Sequence, residues 1–126
     1  MSRQVLTWKD FDTGCSKLAR WARPHNFEAV YGIPRGGLIV AVRLSHLLDI
    51  PMMTERPRGI RNILVVDDIV DGGKTMSRFA SYQRAALVYN MEGNGYVDCF
   101  AIKKKAFVKF PWETSKTAKI DYRVVK

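Results

Sequence analysis

No stretch of this 126-residue sequence approaches the roughly 20 uninterrupted apolar residues that a membrane-crossing helix needs. The longest candidate, residues 38–42, is stopped at once by Arg43. The opening residues Met1-Ser2-Arg3-Gln4-Val5 lack the apolar core of a signal peptide, so a cytoplasmic protein is expected. Cysteine is scarce. Cys15 and Cys99 lie far apart without metal-like spacing, and they read as small buried residues of a reducing compartment rather than a disulfide or zinc framework. No internal repeat and no linker divides the chain, so a single domain over residues 1–126 is expected, with one core and little room for insertions. Acidic residues are the minority. Twelve Asp+Glu stand against 21 Lys+Arg, giving a net charge of +9 and a pI near 9.8. Such an excess favours a polyanionic partner, either nucleic acid or a small multiply phosphorylated substrate. Much of it falls late, in Lys103, Lys104, Lys105, Lys109, Lys116, Lys119 and Lys126, where a solvated basic edge and a functional patch are equally open readings.

What is present alternates. Phe11, Cys15, Leu18, Ala19 and Ala22 recur at helical spacing within 8–23, with Thr7 as a cap and Pro24 beyond the end. Residues 27–33 read as a short buried strand, Pro34-Arg35-Gly36-Gly37 as a loop, and 38–48 as a second helix. A brief strand at Met52-Met53 precedes a polar loop over 54–62 containing Pro57 and Gly59. Residues 63–66 read as a strand, 74–91 as a helix ended by Gly93-Asn94-Gly95, and 96–102 as a strand. Near-continuous apolar strands alternating with helices predict an α/β fold, a parallel sheet flanked by helices. Ligands of such sheets sit beyond the carboxyl ends of the strands. Here those ends carry 32–37, 67–75 and 103 onward, so the three most chemically loaded loops fall on one edge.

The most informative passage is Ile63-Leu64-Val65-Val66-Asp67-Asp68-Ile69-Val70-Asp71-Gly72-Gly73-Lys74-Thr75-Met76. A β-branched run ends in two carboxylates, and a third carboxylate, a glycine pair and Lys-Thr follow. Glycines let backbone N–H groups approach phosphate closely, and the start of the expected helix would turn its unpaired N–H groups towards an anion. Carboxylates repel phosphate, so these fit ribose hydroxyls, a bridging Mg²⁺ or a proton to be accepted. A nucleotide triphosphate P-loop is excluded, because Asp68 stands where its first glycine belongs.

The passage resembles the phosphoribosyl diphosphate (PRPP) motif of type I phosphoribosyltransferases, and most closely their bacterial xanthine-guanine branch. Thr7-Trp8, the helix before Pro24, Arg35-Gly36-Gly37-Leu38 and Pro111-Trp112-Glu113 occur in the same order as in that branch, so the likeness spans residues 6–113. The resemblance implies transfer of phosphoribose from PRPP to a 6-oxopurine base, with Mg²⁺ as cofactor and a small, reduced hood over the base. It implies that Arg35, Gly36 and Gly37 form the diphosphate loop, with a non-proline cis peptide between Pro34 and Arg35. Asp67 and Asp68 would meet the ribose hydroxyls and the metal, and Gly72, Gly73, Lys74 and Thr75 would enclose the 5′-phosphate. Asp71 is implied as the residue that accepts a proton from the base or steadies its attacking nitrogen. Lys103, with Lys104 as the adjacent register, would meet the exocyclic oxygen of the base. Phe107 and Val108 would flank the base, and Glu113 would join Asp68 as a ligand of the metal or diphosphate.

Two departures from the family pattern stand out. Gly72 occupies a position where a threonine is usual, so a hydroxyl donor is missing. The connection 54–62 is short and basic, with Arg56, Arg58 and Arg61, where purine transferases carry a longer mobile loop that excludes water. A neighbouring subunit of a homo-oligomer could supply the cover, or turnover could be slow. These departures support a rival reading: a non-catalytic PRPP- or nucleotide-binding regulator on the same fold. Contact with nucleic acid through the basic C-terminal region belongs to that rival alone.

Overall fold

A computed structural model describes residues 3–119 of the chain. Its elements in order are β1 (Arg3–Val5), α1 (Trp8–Ala22), β2 (Ala29–Gly32), α2 (Gly36–Leu48), β3 (Met52–Met53), β4 (Ile63–Val70), β5 (Gln83–Tyr89), β6 (Cys99–Lys103) and β7 (Phe107–Lys109). Single 3₁₀ turns occur at Arg23–His25, Met76–Phe79 and Thr117–Lys119. Five strands form one sheet in the order β3-β2-β4-β5-β6, with every pair parallel. The expected α/β architecture is present. Among the described residues no helix is long and apolar enough to cross a membrane.

The caps explain where the helices lie. Thr7 Oγ1 accepts from the Asp10 N–H at 3.1 Å, and the Thr7 N–H donates to Asp10 Oδ2 at 2.9 Å, a reciprocal box that starts α1. Its inward face is Phe11, Gly14, Cys15, Leu18, Ala19 and Ala22. Burial pushes the Cys15 thiol up to about 12, so this cysteine is inert packing rather than a nucleophile. Asp49 in the left-handed conformation (φ 57°) ends α2. Both helices cover one sheet face, where Leu64 and Val66 of β4 meet Leu18, Val40 and Leu44. The alternate residues Ile63 and Val65 enter a second cluster on the other face with Tyr31, Met76, Phe79 and Ala86.

That second face corrects the expected helix over 74–91. Only Met76–Phe79 forms a turn there, and Gln83–Tyr89 is instead the strand β5, inserted between β4 and β6. Ala85, Ala86, Leu87 and Val88 are all completely buried. A strand at the centre of a parallel sheet is covered on both faces, so it shows an unbroken apolar run rather than alternation. Such a run has no period that separates it from a buried helix, and packing overrides the helix preference of Ala and Leu. The strand expected over 96–102 is instead Cys99–Lys103, because the crossover from β5 occupies the residues before it.

A two-stranded parallel ribbon, β1 against β7, stands apart from the main sheet, with Arg3, Gln4 and Val5 opposite Phe107, Val108 and Lys109. Gln4 fastens it. Its amide nitrogen donates to Lys103 O at 2.9 Å and its amide oxygen accepts from the Lys105 N–H at 2.7 Å. Trp112 stacks on Phe110 at 4.8 Å and meets Phe11 edge-on at 5.6 Å, joining the ribbon to α1. This is the reduced hood. Trp112 is half-buried by these contacts, whereas residues 120–126, with Lys126 of the late basic run, lie outside the described residues.

Candidate active site

β4 runs on to Val70, past its expected end, and therefore carries Asp67 and Asp68 within the strand. Each carboxylate accepts the next residue's N–H, Asp67 Oδ1 from Asp68 and Asp68 Oδ1 from Ile69, both at 2.8 Å. Beside them the Pro34–Arg35 peptide is cis, as the resemblance implies, and α2 begins directly at Gly36. Gly36 has no room for a side chain, because a β-carbon there would fall on the Asp68 carboxylate. At Gly37 a β-carbon would lie 2.8 Å from Val66 O. The glycines thus let the Arg35 loop close directly onto the acidic pair.

After β4 the chain turns through Gly72 and Gly73. Gly73 has a φ of +77°, and a β-carbon on it would strike the backbone of Gly95. The two glycine loops, 72–73 and 93–95, are therefore packed backbone to backbone. Lys74 O accepts from Ser77 Oγ at 2.7 Å, and Gly73 O from the Ser77 N–H at 2.9 Å, which ties the loop to the 3₁₀ turn. Because that turn has four residues, a long helix dipole does not face this loop; what it offers an anion is backbone N–H groups and the Lys74 ammonium.

Asp71 is doubly held. Lys104 Nζ donates to its Oδ2 at 2.7 Å and Asn90 Nδ2 to its Oδ1 at 2.7 Å. The Lys104 contact and then the Asn90 amide hold this carboxyl below its usual range, so it stays ionised.

One cavity of about 880 Å³ gathers these parts. Its wall includes Arg35, Gly36, Asp67, Asp68, Asp71, Gly72, Gly73, Lys74 and Thr75 on one side, and Lys104, Phe107, Val108, Phe110, Trp112 and Glu113 on the other. Two of the sequence-derived candidates lie outside this wall. Gly37 is buried beneath it, and Lys103 is an exposed strand residue, its place in the wall being taken by Lys104. Phe107 keeps 39% of its surface exposed, whereas Val108 is buried in the hood. Glu113 Oε1 accepts from the Phe110 N–H at 2.8 Å, closing the turn that carries Trp112. Sequence reasoning did not single out Asn90. The apolar run ending at Tyr89 was the signal: read as a strand, its carboxyl end places Asn90 on the same loaded edge.

The connection 54–62 contributes no residue to the cavity wall. It is fastened to the body instead. Arg56 lies over the Phe79 ring at 4.7 Å and donates to Arg78 O at 3.2 Å, while Tyr82 OH donates to Gly59 O at 2.8 Å.

The cavity lies at the carboxyl edge of the sheet, where two carboxylates and two glycine loops converge. A xanthine-guanine phosphoribosyltransferase of Cereibacter sphaeroides is 32% identical over 116 residues, covering 69% of this chain and 70% of that protein. The chain belongs to the type I phosphoribosyltransferase family. A second xanthine-guanine phosphoribosyltransferase, from Vibrio atlanticus, is 25% identical over 137 residues, covering 88% of this chain and 89% of that protein. The crystal structure of a purine phosphoribosyltransferase from Pyrococcus horikoshii superimposes with a TM-score of 0.80 at 28% identity, covering 100% of this chain and 99% of that one. No family model matches the chain. Within the phosphoribosyltransferase fold the reduced hood is the ribbon β1-β7, and the 54–62 connection is the short crossover from β3 to β4.

Proposed function

We propose that this phosphoribosyltransferase transfers phosphoribose from PRPP to a 6-oxopurine base, forming a nucleoside monophosphate and diphosphate. The observation that supports it most is the union, in one cavity, of the Asp67-Asp68 pair, the Gly73-Lys74-Thr75 loop and the Asp71–Lys104 pair. Loop N–H groups and Lys74 hold the 5′-phosphate, and Arg35 with the Gly36 backbone holds the diphosphate. The acidic pair meets the ribose hydroxyls. The bond from C1′ to the diphosphate oxygen breaks, a ring nitrogen of the base bonds to C1′, and the proton on that nitrogen departs by way of Asp71 or water.

The direction of its pKa shift defines what Asp71 does. A carboxylate held below its usual range is a weak base, but two of its roughly four acceptor positions remain after Lys104 and Asn90 are served. It therefore steadies the attacking N–H by accepting its hydrogen bond. Lys104, with donors to spare, meets the exocyclic oxygen, and Phe107 covers the base.

The donor set fits Mg²⁺. Among the described residues no three metal-ligating side chains cluster, and the cavity offers instead an adjacent carboxylate pair of hard oxygen donors. Mg²⁺ is bound by one or two carboxylates together with substrate phosphates, a role for Asp68, with Glu113 as the further carboxylate in the wall. When bound it supplies charge neutralisation for the leaving diphosphate. The reading is tested by incubating the chain with PRPP, Mg²⁺ and guanine, hypoxanthine or xanthine and identifying the product by mass. A nucleoside monophosphate supports it; tight PRPP binding without product supports the regulator.

A further inference from the structure

We infer that Asn90 is a positioning residue: its side-chain amide fixes Asp71 and, through Asp71, the ammonium of Lys104 at the base end of the cavity. The inference rests on the transfer reading above. Asn90 follows β5 directly, and its N–H donates to Val70 O at 2.9 Å, extending the ladder to the last residue of β4. Asp71 is the next residue after Val70, so the anchor is one peptide from the group it serves.

The orientation of the Asn90 amide is fixed by elimination. Its Oδ1 lies 3.0 Å from the backbone N of Glu92, and a backbone N–H can only donate. The oxygen must therefore face Glu92, and the amide –NH₂ must face Asp71 Oδ1, 2.7 Å away. Asn90 O in turn accepts from the Gly93 N–H at 3.2 Å. A β-carbon on Gly93 would meet Asp71 O, so the 90–93 turn is closed directly against the Asp71 backbone. One residue thus secures both the main chain and the carboxylate of Asp71.

This matters because, among the described residues, Asn90 and Lys104 are the side chains seen to hydrogen-bond the carboxylate. Half of the Asp71 side chain is exposed, and the Lys104 ammonium is the charged group that faces it. A Lys–Asp pair at such a surface is weakly ordered by itself, because both side chains are free to rotate. With Asn90 donating to one oxygen, the carboxylate plane is set and the other oxygen presents a fixed target to Lys104. The remaining ammonium donors then face the cavity, where a carbonyl of the base has to be met.

Asn90→Asp is the discriminating variant. It keeps an acceptor for the Glu92 N–H, so the turn is retained, but replaces the donor to Asp71 by a second carboxylate. Asn90→Ala removes both contacts. The readouts are carboxyl ¹³C NMR titration of Asp71 in the free protein, and pH profiles of kcat with guanine, hypoxanthine or xanthine. In Asn90→Asp the two carboxyls titrate as a coupled pair with an apparent pKa above that of Asp71 in the native chain, and Asn90→Ala moves Asp71 upward as well. At neutral pH kcat falls on the order of tenfold, while KM for PRPP stays within about twofold. A folded Asn90→Asp chain with the native Asp71 titration and native kcat overturns the inference. The titration needs no turnover, so a native chain inactive with every base defeats the transfer reading, whereas an unmoved titration defeats the Asn90 contact.

Discussion

The ammonium of Lys104 lies 2.7 Å from the carboxylate of Asp71, although 33 residues separate them in the chain. β4 and β6 deliver the two residues to one edge of the sheet, and β5 between them supplies Asn90. Removing the carboxylate therefore removes the charged partner of Lys104 and, on the proposed function, the charged acceptor for the base. Asp71→Asn is expected to lower kcat by roughly ten- to a hundredfold, the worth of a hydrogen bond to a charged group, while leaving PRPP affinity nearly unchanged. Single-turnover kinetics alongside PRPP calorimetry check this; an unchanged rate removes Asp71 from the mechanism.

The same pair predicts a pH dependence. Asp71 has a folded-state pKa below its unfolded value, because Lys104 and Asn90 bind the ionised form. The stability this contributes is fully present above the unfolded carboxylate value and is lost as pH falls through the lower folded value. Its size is small, since the group is half-exposed and solvent screens it. Lys104→Met should raise the Asp71 pKa towards the usual carboxylate value, and the acid limb of kcat/KM should move up with it.

The register of the basic run is a separate prediction. Lys104 lines the cavity, whereas Lys103 is an exposed residue of β6 that pairs with Tyr89 and accepts from Gln4 through its carbonyl. Hydrogen bonds to charged groups are worth about 1.5–3 kcal/mol, or roughly ten- to a hundredfold in affinity. Lys104→Met should raise KM for the base by that factor, and Lys103→Met should leave it within about twofold. Equal effects would refute the register.

The two loop glycines should respond oppositely. Gly72 lies outside the left-handed region, and a β-carbon added there would meet nothing within 4 Å, so Gly72→Thr should fold normally. On the proposed function the added hydroxyl would give the 5′-phosphate another donor, and PRPP should bind several-fold tighter. Gly73→Ala places a β-carbon at φ +77° against Gly95 and should cost about 1–3 kcal/mol, read as a lower Tm. Gly36→Ala should weaken PRPP binding in the presence of Mg²⁺, since its methyl group would displace the Asp68 carboxylate.

What was legible in the sequence, and what was not, follows from the kind of signal. Asp67, Asp68 and the glycine loop could be read because they follow one another in local order: a strand, two carboxylates and a glycine turn in one unbroken segment. α1 was legible through its period and its Thr7 cap. β5 was not, because Ala85–Val88 is buried on both faces and a uniform apolar run has no period. Losing β5 also hid Asn90. The choice between Lys103 and Lys104 depended on where β6 ends, and strand ends are set by pairing with β5 rather than by the lysines themselves. The β1-β7 ribbon joins residues about a hundred positions apart, and no local pattern encodes such a pairing.

The central claim is tested most directly by measuring diphosphate release from PRPP with Mg²⁺, first without base and then with guanine, hypoxanthine, xanthine, adenine, uracil and orotate in turn. The account predicts release that depends on a 6-oxopurine and is lost in Asp71→Asn. Tight PRPP binding with no base-dependent release would contradict it.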